Sequence, residues 1–369
     1  MANLKQNLAD LQQKARERTV KTQNIEYDLE TLVKKIQRGV IQLDPEYQRR
    51  HRWKKDTSSR LIESLILNIP IPLVYLSQDV DVDAELDDDG ARYTVIDGVQ
   101  RLTAIKSFFE NKFALTGLDV LTDLEGAKYK DLPPFLIRRL EERTIKCLRI
   151  DSTVDAQVKY DIFERLNSGS VKLEAQELRN AISRGPFNAL IKELAKDQNF
   201  RVLLQVRPND PDASAKVKKM EDVELVLRFY ALGDGNYQNL KKGFKQFLSE
   251  EMDKYNKLDE DELYPLRENF LHTMALIRRE FGDEAFAKYR YVDGERTKMS
   301  KFNAAVFDAL SVPVGELVAA GGDRIDSSAV DAFHRLFADP EFFDAVAGSV
   351  NDREKVATRV EAVRRVLGL

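Results

Sequence analysis

The sequence predicts an α+β protein: a part that mixes strands and helices, followed by a part built from helices. Two observations predict this. Strand-like runs recur between Ile71 and Ile150 and alternate with apolar stripes at helical spacing. Beyond Gly185 only helical stripes continue, such as Leu190, Ile191 and Leu194, or Val356, Val360 and Val363. The expected organisation is a helical arm over residues 1–24, a sheet-bearing domain over 25–185 and a helical domain over 186–369.

The elements follow in order. Leu4, Leu8, Leu11 and Ala15 keep a helical period in the arm, and Ile25–Asp28 leads into a helix with Leu29, Leu32, Val33 and Ile36 on one face, closed by Gly39. Leu61, Ile62, Leu65, Ile66 and Ile69 form the next stripe, with Asp56, Thr57 and Ser58 as N-cap candidates. It ends at Pro70, after which Ile71–Leu76 reads as a strand entered through proline. Residues 79–90 are an acidic loop. Its Asp-x-Asp-x-Asp start resembles a calcium loop, but Ala84 and Gly90 stand where that loop needs glycine and glutamate, so a solvated hairpin tip is expected. Tyr93–Asp97 is a strand that turns at Gly98 into a helix reaching Phe109, and Phe113–Leu115 reads as a short strand. Phe135–Glu142 is helical, Thr144–Ile150 alternates as a strand, and Val154–Leu166 returns to helix before Asn167-Ser168-Gly169. Glu174–Ala181 opens the next helix, and the helical stripes follow.

With 369 residues, 43% hydrophobic and 33% charged, the chain has the composition of a globular protein rich in surface helix. Its net charge of -4 means that any nucleic-acid surface is a local patch and not a global field. Cys147 is the only cysteine, which rules out an internal disulfide and a four-sulfur zinc site. No apolar run approaches the ~20 residues a membrane span needs, and residues 1–17 are unlike a secretory signal, so a cytoplasmic protein is expected.

Three stretches carry chemistry. In Tyr93–Ala104 a strand passes Asp97-Gly98 into a helix, leaving N–H groups at the helix start that favour an anion. Asp97 offers a carboxylate suited to a metal ion or a water, Gly98 allows close backbone approach, Gln100 offers an amide, and Arg101 a fork matched to phosphate. The alternative is a tight turn with a surface arginine. Between Pro45 and Arg60 there are six Lys/Arg and two acids, interleaved with Tyr47 and the only tryptophan, Trp53. Arg49, Arg50, Arg52, Trp53, Lys54 and Lys55 thus suit nucleic-acid contact, since cations meet phosphate while rings stack on bases. The alternative there is aromatic core anchors beside solvated arginines. In the third stretch Arg165 falls in a last helical turn, where it could equally complement the helix dipole, and Asn167 sits at the tip.

Other chemistries lack their residues. His51, His272 and His334 show no paired metal spacing, and neither a Gly-x-Ser-x-Gly elbow nor a Gly-x-x-x-x-Gly-Lys-Ser/Thr loop is present. Carboxylate, amide and arginine remain, a set suited to binding or slow hydrolysis of a phosphoanhydride.

Pro45-Glu46-Tyr47-Gln48-Arg49 with Trp53, Val95-Ile96-Asp97-Gly98-Val99-Gln100-Arg101-Leu102, and Phe163-Glu164-Arg165-Leu166-Asn167-Ser168-Gly169 occur in this order. Together with Asn68-Ile69-Pro70-Ile71-Pro72 and Leu173–Asn180, they resemble the family of N-terminal domains of GmrSD-type, modification-dependent restriction enzymes, a branch of the ParB/sulfiredoxin-like fold. The resemblance covers residues 25–185 and extends weakly to Met220–Phe229. It implies a small mixed sheet, and nucleotide binding and hydrolysis in defence against phage or foreign DNA, with NTP and Mg²⁺ as cofactors. Asp97 would position metal or water, with Gln100 beside it in catalysis. Gly98, Gln100 and Arg101 would hold phosphates, Tyr47, Gln48 and Arg49 would close the site, and Arg165 and Asn167 would complete it. The family signature reads Asp-Gly-Gln-Gln-Arg; here Val99 replaces the first glutamine, and His51 stands where an aromatic residue is commoner. No His-Asn-His constellation follows residue 185, so DNA cleavage would need a separate nuclease or effector subunit.

The expected function is therefore an NTP-hydrolysing sensor of a DNA-directed defence system, with nucleotide and DNA as partners, no membrane, and the oligomeric state open. The alternatives are a module gripping DNA or a modified phosphate without hydrolysis, a ParB-like nuclease using Asp97 and Glu46 as metal ligands, and a scaffold with a degenerate pocket.

Overall fold

The computed structural model describes residues 21–43, 53–78, 93–151, 174–207, 209–241, 243–347 and 351–369, with isolated positions between 154 and 165. The chain divides into two compact units, Met1–Leu173 and Glu174–Leu369.

In the first unit β1 (Thr22–Asp28) runs into α1 (Leu29–Gln37), followed by β2 (Ile41–Gln42) and α2 (Lys55–Ile66). β3 (Val74–Gln78), β4 (Tyr93–Asp97), α3 (Val99–Phe109), α4 (Pro134–Glu141) and β5 (Thr144–Ile150) complete its regular elements. The strands form one sheet in the order β1-β5-β3-β4-β2. β1/β5 and β3/β4 are antiparallel, whereas β3/β5 and β2/β4 are parallel, so the sheet is mixed. Asp28 starts α1 as its N-cap, accepting from Thr31 N at 2.7 Å. Leu32 and Val33 of α1, Ile62 and Leu65 of α2, and Leu102, Ile105 and Phe108 of α3 share one core with Val74, Leu76, Val95 and Cys147 of the sheet. Cys147 is a structural thiol, raised to about 11 by burial.

The fold is α+β, as the periodicity predicts, with local differences. Thr22–Asn24 belong to β1 and not to an arm, because β1 pairs with β5 from Thr22↔Ile150 to Asp28↔Thr144. Asp56, Thr57 and Ser58 lie inside α2, whose N-cap is Lys54. Ile71–Leu73 precede β3, and Phe113–Leu115 form no strand. That loop is instead fastened to α2: Thr116 N donates to Ser59 Oγ at 3.0 Å, and Asp119, Val120 and Leu121 N donate to the Glu63 carboxylate at 3.1, 2.8 and 2.7 Å.

In the second unit the helices include α5 (Ala175–Ile182), α6 (Pro186–Leu194), α7 (Glu221–Leu232), α8 (Phe244–Tyr255) and α9 (Glu260–Phe281). A hairpin of β6 (Lys288–Val292) and β7 (Glu295–Ser300) comes next, then α10 (Ala304–Ala319) and α11 (Arg353–Leu367). This part is helical as expected apart from the hairpin, which turns at Asp293-Gly294, both with positive φ. A buried charge network crosses the bundle. Asp308 of α10 accepts from Arg228 of α7 (Nε at 3.0 Å) and from Arg359 of α11 (Nη2 at 2.6 Å). Arg179 of α5 joins through Glu224 at 2.9 Å and Ser249 Oγ at 3.2 Å. Among the described residues no helix is long and apolar enough to cross a membrane.

Burial works to raise the Glu63 carboxyl, but three backbone donors outweigh it and hold the group below its ordinary range. Glu63→Ala is expected to destabilise the chain by roughly 2–3 kcal/mol at neutral pH. Because the folded pKa is depressed, the wild-type advantage is complete above the ordinary carboxylate value, about 4.3, and is lost as pH falls through the lower folded value. Denaturant midpoints across that range check both points; an equal midpoint for the two proteins at pH 7 contradicts them.

Candidate functional site

The stretch at the centre of the sequence reading forms a strand–turn–helix unit. β4 delivers Asp97 at its end, opposite Tyr75 of β3. Gly98 then takes φ 101°, ψ 5° and becomes the N-cap of α3, with no side chain capping that helix. A Cβ at Gly98 would lie 3.0 Å from Val74 Cγ2 and 3.4 Å from Arg101 Nη2, so glycine is required both by its left-handed backbone and by close approach. The 11-residue helix thus begins with unpaired N–H groups beside a partly exposed carboxylate.

Arg101 is not positioned as the sequence suggested. Its side chain is 10% exposed, and its guanidinium is turned into the protein. Nη1 donates to Pro72 O, while Nη2 donates to Leu73 O at 3.2 Å and to Asp97 Oδ2 at 2.7 Å. These bonds tie the approach to β3 to the end of β4. The fork expected to hold phosphate holds two carbonyls and a carboxylate instead, because an arginine one turn into a helix that lies on a sheet faces the strand ends.

Gln100 faces the other way. Its Oε1 accepts from the backbone N–H of Trp53 at 3.2 Å. Its Nε2 is out of solvent and, among the described residues, has no partner. Trp53 immediately precedes Lys54, the N-cap of α2, which also lacks a side-chain capping bond. One hydrogen bond therefore joins the starts of two helices, α2 and α3, both with uncapped N–H groups. Lys54 and Lys55 are exposed at the start of α2, where the positive end of the helix dipole disfavours cations, and Asp56 offsets them in part. Two helix N-termini with two lysines form a concentrated positive end suited to an anion.

Of the residues singled out from sequence, the structure brings together Trp53, Asp97, Gly98, Gln100 and Arg101, with Lys54 and Lys55 next in the chain. Trp53 is 37% exposed, enough to offer a ring face. Arg165 is helical and exposed. Tyr47, Gln48, Arg49, Arg50, Arg52 and Asn167, together with Glu46, lie outside the described residues. Among the described residues no group of three or more His, Cys, Asp or Glu side chains could hold a metal. In the Leu173–Asn180 motif, Arg179 is 1% exposed and bound to Gln176, Glu224 and Ser249, which makes that motif a packing element. Sequence reading missed the Trp53–Gln100 bond and the inward turn of Arg101, both contacts between residues far apart in the chain.

Fold and site together define an α+β domain whose Asp-Gly-Val-Gln-Arg turn opens a helix with no side-chain cap. Residues 29–183 match the family model described as GmrSD restriction endonuclease, N-terminal domain. Searches of curated proteins and of solved structures found no match.

Two substitutions separate support from contact. Arg101→Ala is expected to lower stability by roughly 2–4 kcal/mol, because it strands two carbonyls and a carboxylate. Gly98→Ala should cost about 1–2 kcal/mol for the left-handed backbone. Thermal or denaturant melts measure both, and an Arg101→Ala protein as stable as wild type contradicts the supporting role.

Proposed function

We propose that the first unit binds a nucleoside triphosphate with Mg²⁺ at the junction of α2 and α3 and hydrolyses it, as a sensor in a DNA-directed restriction or defence system. The observation that carries this is the hydrogen bond from Trp53 N to Gln100, which sets two uncapped helix starts side by side next to Asp97. The family match supports the defence setting and a separate nuclease or effector as partner. A soluble, cytoplasmic protein fits that setting.

The reading assigns these roles. Backbone N–H groups of Val99 and Gln100, with Lys54 and Lys55, meet the phosphates. Asp97 keeps one carboxylate oxygen on Arg101 and, with its side chain 40% exposed, would use the other to hold the Mg²⁺ or the attacking water. The orphaned Nε2 of Gln100 supplies the donor that such a guest would satisfy. Arg101 is a positioning residue that holds Asp97 and the approach to β3. Trp53 offers its ring to a base. Tyr47, Gln48, Arg49, Arg50, Arg52 and Asn167 lie outside the described residues, and the sequence alone suggests Tyr47, Gln48, Arg49, Arg165 and Asn167 for the phosphates and Arg50 and Arg52 for DNA. The ion, when bound, would neutralise charge developing on the phosphate oxygens.

One observation favours a second reading, in which the same pocket grips a phosphate without turnover. Among the described residues Arg101 is the arginine at the turn, and its guanidinium is already committed. The two readings part in one experiment: equilibrium binding and steady-state release of phosphate from ATP and GTP with Mg²⁺, for wild type, Asp97→Asn and Gln100→Ala. The expected result is binding with slow turnover in wild type, turnover reduced about 100-fold or more in Asp97→Asn, and weakened binding in Gln100→Ala. Binding without turnover selects the second reading. No binding by wild type, or full activity in both variants, contradicts the site.

A further inference from the structure

Four helices of the second unit meet around a small cavity, and we propose that it holds the ammonium group of a short aliphatic primary amine, with Glu316 as the counter-ion. The inference is independent of the nucleotide reading and uses no residue of the first unit.

The cavity has a volume of about 60 Å³, room for roughly four to five non-hydrogen atoms. Its walls are Phe229 and Tyr230 of α7, Tyr255 at the end of α8, Leu266 of α9 and Val312 of α10. Gly315 of α10 also lines it, and a Cβ there would lie 2.6 Å from the Phe229 ring, so a larger residue would displace one wall.

The neutral polar side chains of the lining are already paired. Tyr230 OH donates to Leu266 O at 2.8 Å, and Tyr255 OH donates to Tyr230 O at 3.2 Å. Asn269 donates to Gly315 O at 3.2 Å and accepts from Thr273 Oγ1 at 2.9 Å. Glu316 differs from them. Its side chain is 14% exposed, and its Oε2 lies 3.4 Å from Arg364 Nη1. Its Oε1 is out of solvent and, among the described residues, has no partner. A stranded acceptor of this kind calls for a donor.

Charge selects which donor. α7 ends at the cavity with Gly233 as its C-cap, which brings the negative end of a 12-residue helix dipole there. Asp234, exposed, follows in the lining. Burial raises the Glu316 carboxyl, the Asp234 and Glu361 carboxylates add to that, and Arg364 offsets it only in part. A hard metal ion would need about six oxygen ligands, which walls of rings and aliphatic side chains do not supply. An alkylammonium places its N–H donors on Glu316 and its chain against those walls, where ring faces also attract a cation.

The test is a titration of the full chain with n-butylammonium chloride, followed through backbone amide shifts, for wild type, Glu316→Gln and Asp234→Asn. Wild type should show saturable shifts at Gly233, Gly315 and Glu316. Glu316→Gln keeps the shape and removes the charge, and should bind about tenfold more weakly or worse. If that variant does not fold, Asp234→Asn provides the comparison, with a loss of about threefold. 1-Butanol, similar in size but uncharged, should bind about tenfold more weakly than the amine, and potassium chloride should leave these amides unmoved. Nα-acetyl-lysine methylamide separates two sources of the same group: binding tighter than butylammonium assigns the cavity to a lysine side chain of another protein, and weaker binding assigns it to a free amine. Equal affinity for butanol, unchanged affinity in the variant, or shifts produced by potassium overturn the assignment. So does a wild type that butylammonium leaves unshifted, which hands the Glu316 oxygen to water.

Discussion

The first unit depends on where the Arg101 guanidinium goes. It links Pro72 and Leu73, which lead into β3, to Asp97, which ends β4. Those two strands pair with an irregularity between Tyr75 and Leu76, beside the Asp97 register position, where the ladder alone is least able to hold the strand ends together. A charge-assisted bond at 2.7 Å and two bonds to carbonyls hold them there. The same arrangement fixes the direction of the Asp97 carboxylate and leaves Gly98 no space for a side chain. A charged residue that sequence alone assigns to a guest thus belongs to the frame that holds the strand ends together.

The second unit uses charge in the same way and more deeply. Asp308 and Arg359 are fully buried, Arg228 nearly so, and the carboxylate is shared by both guanidiniums. Burial works to lower Arg359, with Asp308 opposing it, while the pull of Asp308 prevails at Arg228. Such a network adds little net stability over an apolar one but penalises any packing that separates its members. It therefore specifies how α7, α10 and α11 meet, and Glu224 extends that constraint through Arg179 to α5.

What could be read from the letters follows physical range. Strongly periodic helices such as α1, and a turn marked by Asp97-Gly98, are local and legible. β1 escaped notice because its outer residues, Thr22, Gln23 and Asn24, are polar and exposed, so the strand shows little alternation. The β6–β7 hairpin escaped because most of its residues are polar, although Asp293-Gly294 between Tyr-Val and Glu-Arg was a usable signal. At the site, residue types were legible but directions were not. Arg101 turns inward toward carbonyls 28 and 29 positions away, and Gln100 reaches Trp53 across 47. No spacing rule within one helix encodes either contact.

The central claim is that two adjacent helix starts, α2 and α3, form one anion site. Backbone amide shifts during a titration with a Mg²⁺-bound triphosphate test it most directly, since they report on N–H groups whether or not hydrolysis follows. The account predicts saturable shifts at Val99 and Gln100 together with Lys55 and Asp56, sharing one dissociation constant. Shifts absent from these amides, or confined to one helix, would contradict it.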